Sequence, residues 1–229
     1  VLAIAGQFDM EEFHALAEKL LGGWHAEGET HIPAPVKGTK PRVLTRKKDI
    51  EQVHMCLAFP GVQQDEDDLY PISVMNNLFG GGMSSRLFQR IREEMGAVYS
   101  VYSFPSTYTN CGTFTVYAGT SPETAQKVAD ELHHQIRLLC ENGVTQEEFE
   151  MAKEQLKVSY VLGLESSSSR MSAIGRSKLL RDKAVDPQDV IRKIEAVTKE
   201  DVERVTREMF SKDCAASAVG RNIEQLKLL

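Results

Sequence analysis

The chain has 229 residues, a length that fits one large or two small domains. Its 27 basic and 33 acidic side chains leave a net charge of −6, which argues against a dedicated nucleic-acid binder or a membrane-surface protein. With 41% hydrophobic and 26% charged residues it can bury a real core, and no apolar run approaches the roughly 20 residues that span a bilayer.

The chain opens on Val1-Leu2-Ala3-Ile4-Ala5-Gly6, too short for a signal peptide and patterned as a buried strand. A chain that starts inside a core strand is expected to be a piece of a longer polypeptide. Asp9 then caps a helix with Phe13, Leu16, Ala17, Leu20 and Leu21 on one face, stopped by Gly22-Gly23. Residues 25–42 are polar, carry three prolines, show no periodicity and read as a linker. Strands follow at Val43–Arg46 and Gln52–Phe59, the second with Val53, Met55, Leu57 and Phe59 alternating on one face. Asp65–Asp68 opens a helix that runs to Phe79 and ends at Gly80-Gly81-Gly82. Ser84 or Ser85 caps a short helix bearing Leu87, Phe88 and Ile91, closed by Gly96.

Ala97–Phe104 and Cys111–Gly119 form a hairpin. Strict alternation puts Tyr99 and Val101 on one face, and Val98, Ser100 and Tyr102 on the other. Ser121-Pro122 starts a helix with Ala125, Val128, Ala129, Leu132, Ile136 and Leu139 inward and Gly143 at its end. Thr145 and Glu148 make a capping box ahead of Phe149, Ala152 and Leu156. The serines of 166–169 are expected in a polar loop that breaks or bends the helical stretch. Asp186-Pro187 starts another helix, Thr198 caps the last one with Val197 and Val202 as a staple, and Cys214–Val219 closes the chain as a strand. Strands followed by helices predict an α+β fold, a mainly antiparallel sheet with helices packed on one face.

Little chemistry is visible in isolation. Cys56, Cys111, Cys140 and Cys214 have no CxxC spacing and read as reduced thiols of a cytoplasmic protein. None of the six histidines belongs to HExxH or HxxEH, and the adjacent His133 and His134 diverge by about 100° on a helix, so a three-ligand zinc site is not expected. Gly80-Gly81-Gly82 has no GK[ST] after it and reads as a turn between helices, not a phosphate cradle. Ser166–Ser169 lacks a GxSxG context. The segment 79–103, FGGGMSSRLFQRIREEMGAVYSVYS, is the informative one. Arg86, Arg90 and Arg92 share a short helix, and Tyr99 and Tyr102 follow its Gly96 stop. Two readings stay open on chemistry alone. The donors could grip the backbone of an extended peptide, or the arginines could pair with Glu93 and Glu94 while the tyrosines pack.

The block GGGMSSRLFQ-x-IRE-x-x-G-x-x-YSVYS resembles the C-terminal half of the pitrilysin and mitochondrial-processing-peptidase family, inverse zincins with an HxxEH motif. The likeness covers the whole chain. Residues 1–24 resemble the closing strand and helix of a preceding domain, 25–42 the linker, and 43–229 the complete C-terminal domain. The resemblance implies a parent zinc metalloendopeptidase whose N-terminal catalytic half, missing here, binds zinc and supplies the glutamate base. This half would be non-catalytic and would hold the peptide substrate. At the family's Arg-to-Tyr spacing stand Arg92 and Tyr99, which the resemblance assigns to the substrate carbonyl as oxyanion-type donors. HxxEH is absent, and the equivalent helix carries Ser73, Met75, Asn76 and Asn77, so no catalytic residue and no metal ligand is expected in this chain. The short glycine run resembles the compact, processing-protease-like members rather than subunits with a long glycine-rich insertion. The partners implied are the N-terminal half and a peptide, with a homodimer left open and no nucleic acid or membrane. The rival reading is a catalytically inactive scaffold or partner subunit of the same fold.

Overall fold

The computed structural model describes residues 1–25, 28, 34, 36, 42–64 and 66–229. Five strands make one sheet: β1 (Val43–Lys47), β2 (Val53–Pro60), β3 (Val98–Thr107), β4 (Gly112–Thr120) and β5 (Ala215–Gly220), in the order β1-β5-β2-β4-β3. Only the β1–β5 pairing is parallel; β5–β2, β2–β4 and β4–β3 are antiparallel, so the sheet is mostly antiparallel as expected. Period-2 patterning decides which face is covered. Val53, Met55, Leu57 and Phe59 of β2 and Phe114, Val116 and Ala118 of β4 are buried, while His54, Cys56 and Ala58 between them are only half-buried.

The helices lie on that buried face: α2 (Leu69–Phe79), α3 (Ala125–Asn142), α4 (Gln146–Gly163), α6 (Pro187–Ala196) and α7 (Lys199–Phe210). α2 packs on β3, α3 on β4 and α7 on β2, with α4 and α6 behind α2. Phe210, at the end of α7, joins the layers. Its ring centroid lies 4.9 Å from Phe59, 5.8 Å from Phe79 and 5.8 Å from Phe114, in edge-on or tilted contacts. The apolar residues expected inward on α3 are all buried. The expected capping box of Thr145 with Glu148 forms, Thr198 caps its helix and adds a box with Asp201, and the staple residues Val197 and Val202 are buried.

Several local expectations are corrected. Val1–Ala5 forms no strand. A strand needs a neighbour for its backbone groups, and this sheet offers the segment no pairing. It is followed by α1 (Met10–Leu21), capped by Asp9 as expected but with no buried residue. Most of residues 25–42, and Asp65, lie outside the described residues. Ser121-Pro122 forms a turn, and α3 starts later, after Thr124. The serine cluster is not a loop: Ser166 accepts from the Ser169 amide and starts α5 (Ser167–Arg181). Ser85 does not cap the next helix; its hydroxyl donates to the Gly82 carbonyl at 2.6 Å. No helix of the described residues is long and apolar enough to cross a membrane.

Candidate functional site: the Arg92 and Tyr99 end of the open sheet face

The α2–β3 junction fixes the position of the site. Gly80 ends α2 and lies against β3, where its carbonyl accepts from the Ser103 amide at 3.0 Å. A Cβ at Gly80 would come within 2.6 Å of that amide nitrogen, so the close approach requires glycine. After the glycine turn, Phe88–Glu94 winds as a π-helix, with the Met95 amide donating to the Arg90 carbonyl at 3.1 Å. Gly96, in the left-handed region at φ +57°, turns the chain into β3.

This winding sends the three arginines to different partners. Arg86 grips Glu148 with two nitrogens, at 2.6 and 2.7 Å, and donates to the Gly143 carbonyl at 2.9 Å. The Arg86 guanidinium, helped by the Thr145 amide, holds the Glu148 carboxyl at about 2 against the opposing effect of burial. Arg90 bridges Glu94 at 2.7 Å and Glu131 at 3.0 Å. The pairing expected with Glu94 is therefore real, but it belongs to Arg90. Arg92 makes no ion pair among the described residues; it is exposed, with its guanidinium carbon 5.0 Å from the centre of the Phe88 ring.

Tyr99 is placed by a β-bulge. Val98 pairs with Thr120 and Ser100 with Gly119, so Tyr99 is the extra residue between two consecutive partners. The bulge breaks the alternation expected for β3 at Val98 and Tyr99. Val101 and Ser103 turn to the helices at 5% and 4% exposure, while Tyr99, Tyr102 and Phe104 are exposed by 61%, 44% and 39%. Tyr99 and Tyr102 therefore share the uncovered side of the sheet. The expected alternation holds from Ser100 onward, but the inserted residue moves Tyr99 to the face of Tyr102 and leaves Val98 against the core, so Tyr99 and Tyr102 are not on opposite faces.

The sequence did not reveal what stands beside them. Tyr117 is directly opposite Tyr102 in the ladder, with ring centroids 4.8 Å apart, and Phe104 lies 5.9 Å from Tyr102 on the other side. The Tyr117 hydroxyl lies 2.7 Å from His54 Nδ1. It reaches there across Gly119, whose missing side chain leaves a notch bordered by Tyr117, Gln52 and Ser100. The signal was present in the period-2 spacing of His54 and Tyr117, but only the hairpin register brings them together.

The described residues do not fit a metal. Among the described residues no group of three His, Cys, Asp or Glu side chains could hold one. The α2 side chains are engaged structurally: Ser73 donates to the Leu69 carbonyl, Asn76 accepts from Ser103 at 2.8 Å, and Asn77 donates to the Ala152 carbonyl at 2.8 Å, while Met75 is fully buried.

Comparison with known proteins agrees with this architecture. A family model described as the peptidase M16 inactive domain matches residues 1–156. A Bacillus subtilis protein named uncharacterized zinc protease YmxG is 38% identical over 220 residues, which cover 96% of this chain and 53% of that protein. A Mycobacterium bovis protein, also named an uncharacterized zinc protease, is 36% identical over 225 residues, covering 96% of this chain and 51% of its own length. The chain thus spans about half the length of these curated relatives. Among solved structures, a Helicobacter pylori protease superposes with a TM-score of 0.83 at 19% identity, over 94% of this chain and 53% of that one. A Pseudomonas fluorescens peptidase M16 inactive domain gives 0.83 at 20%, over 96% and 53%.

Proposed function

The chain belongs to the peptidase M16 family, as its inactive domain, and we propose that it is the peptide-holding, C-terminal half of a zinc-dependent endopeptidase. In this reading residues 1–24 are the tail of the preceding domain, 25–42 the linker and 43–229 the substrate-binding domain. Zinc and the catalytic base belong to the N-terminal half, a division supported by the lack of a metal-fitting cluster among the described residues. The relatives' names as zinc proteases and their doubled length support that division.

The observation that carries the proposal is the availability of Arg92 and Tyr99. The neighbouring arginines are tied into ion pairs, whereas Arg92 is exposed with only a ring beneath it. Tyr99 is extruded by the bulge onto the uncovered sheet face, with no hydrogen bond to its hydroxyl among the described residues. An unengaged guanidinium and an unengaged phenol can donate to a peptide carbonyl oxygen and stabilise negative charge developing on it. Holding the peptide extended along the sheet is the second contribution.

The test is turnover of a quenched-fluorescence peptide by the chain joined to its N-terminal half and loaded with zinc. Tyr99→Phe removes one donor and little packing, so kcat should fall on the order of 10²-fold. Arg92→Ala should lower kcat/KM with an unchanged melting temperature. No cleavage by the complete, zinc-loaded protein would favour a scaffold, and losses that track a collapsed melting temperature would make both residues structural.

A further inference from the structure

On the uncovered side of the sheet, next to Tyr99, the rings of His54, Tyr117, Tyr102 and Phe104 run from β2 across β4 to β3. Their successive centroids are 6.1, 4.8 and 5.9 Å apart. The residues beside them on that face carry no further ring: Cys56 and Ala58 on β2, Thr115 and Gly119 on β4, Ser217 and Val219 on β5. The ring row is therefore a confined platform on an otherwise low surface. Tyr117 is held by its hydrogen bond to His54, and Tyr102 is held between Tyr117 and Phe104, so the platform is ordered before anything binds. Preformed rings take a ligand without a further ordering cost.

We propose that this platform is a subsite for an aromatic or large aliphatic side chain of an extended peptide, two to three residues from the carbonyl that Tyr99 and Arg92 would hold. This rests on the peptide-holding reading above and adds a side-chain preference to it. The spacing follows from the strand. Tyr102 is three positions beyond Tyr99, one of them absorbed by the bulge, and an extended peptide advances about 3.3 Å per residue with alternate side chains on one side. A peptide with its carbonyl at Tyr99 thus brings a nearby side chain over the Tyr102 ring.

The size of the platform selects this occupant over a second protein surface. Aromatic side chains bury about 200 Å² each, so Tyr102 and Phe104, at 44% and 39% exposure, offer roughly 170 Å². A stable protein–protein interface takes about 800 Å² from each partner. Two exposed rings suit one side chain, and the polar notch at Gly119 beside them suits the peptide's backbone groups. Among the described residues the platform itself carries no carboxylate, ammonium or guanidinium group, so charged side chains gain nothing there.

The experiment is a pair of dye-labelled decapeptides, identical except for Phe or Ser at one central position, titrated against the 229-residue chain by fluorescence anisotropy. Stacking on the platform should make the Phe peptide bind about five- to tenfold more tightly. Tyr102→Ala should reduce that preference to less than twofold, and Tyr102→Phe, which keeps the ring, should retain it. Tyr108→Ala, at a more exposed tyrosine in the hairpin loop, should also retain it. Equal affinities for the two peptides, or a preference that survives Tyr102→Ala, would overturn the subsite. So would a preference shown by this chain alone but absent from kcat/KM of the complete protein, which would mean that the other half covers the platform. These readouts separate it from the parent reading: a complete enzyme that cleaves both peptides equally well refutes the subsite and leaves the peptide-holding role intact.

Discussion

Replacing Glu148 by glutamine tests how the cationic helix is anchored. Glu148 does two jobs. One carboxylate closes the capping box of α4, accepting from the Thr145 amide at 2.9 Å, and the same group receives two Arg86 nitrogens at 2.6 and 2.7 Å. The side chains of the pair are 20% and 28% exposed, so solvent screens the charge only in part. A hydrogen bond to a charged group contributes about 1.5–3 kcal/mol and a helix cap about 1. Glutamine keeps one acceptor oxygen, and partial exposure discounts the charge, which leaves a loss of about 2 kcal/mol. For a chain of this size that lowers the melting temperature by about 4–8 °C. The carboxyl is held at about 2, below its ordinary 4.5. A depressed folded-state value gives stability that is complete above pH 4.5 and is lost as the pH falls toward 2. The difference between wild type and Glu148→Gln should therefore be full at pH 7, less than half at pH 3, and about a tenth at pH 2. Urea denaturation followed by circular dichroism at pH 7, 5 and 3 measures it. A difference under about 0.5 kcal/mol at pH 7, or one constant down to pH 3, would refute the anchoring role, since exposed pairs contribute no more than that.

Gly80→Ala should cost about 2–3 kcal/mol in the same urea assay, because its Cβ meets the Ser103 backbone and α2 must separate from β3; a loss under about 0.5 kcal/mol would show that the junction yields freely. Cys214, pushed up to about 11 by burial, should react with iodoacetamide at pH 8 about a hundredfold more slowly than an ordinary thiol until urea unfolds the chain. Labelling of native Cys214 at the unfolded rate, read by peptide mass spectrometry, would contradict its packing. The purified chain should hold substoichiometric zinc by elemental analysis after gel filtration, and one tightly held zinc per chain would require ligands that the described residues do not bring together.

The sequence by itself determined the elements and their core faces. The inward faces of β2 and α3, the Thr145–Glu148 capping box, the Thr198 cap and the Val197–Val202 staple follow from spacing within one helix or strand, where 3.6 and 2.0 residues per repeat fix direction without any partner. The resemblance carried by residues 80–103 likewise reached the peptidase M16 family from the chain alone. What it missed depended on neighbours. Val1–Ala5 has strand chemistry but no strand to pair with, and Ser166–Ser169 looks like a loop until α5 places its first turn on that cap. β5, the last element, enters between β1 and β2, an order that no local pattern encodes. The site depends on tertiary structure most of all. Whether Arg86, Arg90 or Arg92 is unpaired is decided by Glu148 and Glu131, one on α4 and the other on α3. Tyr99 shares a face with Tyr102 because β4 offers one partner where β3 supplies two residues. A bulge is a mismatch between two strands, so it exists only once both are paired. Composition and periodicity describe one segment at a time, and this one extra residue sets which side chains face the open side of the sheet.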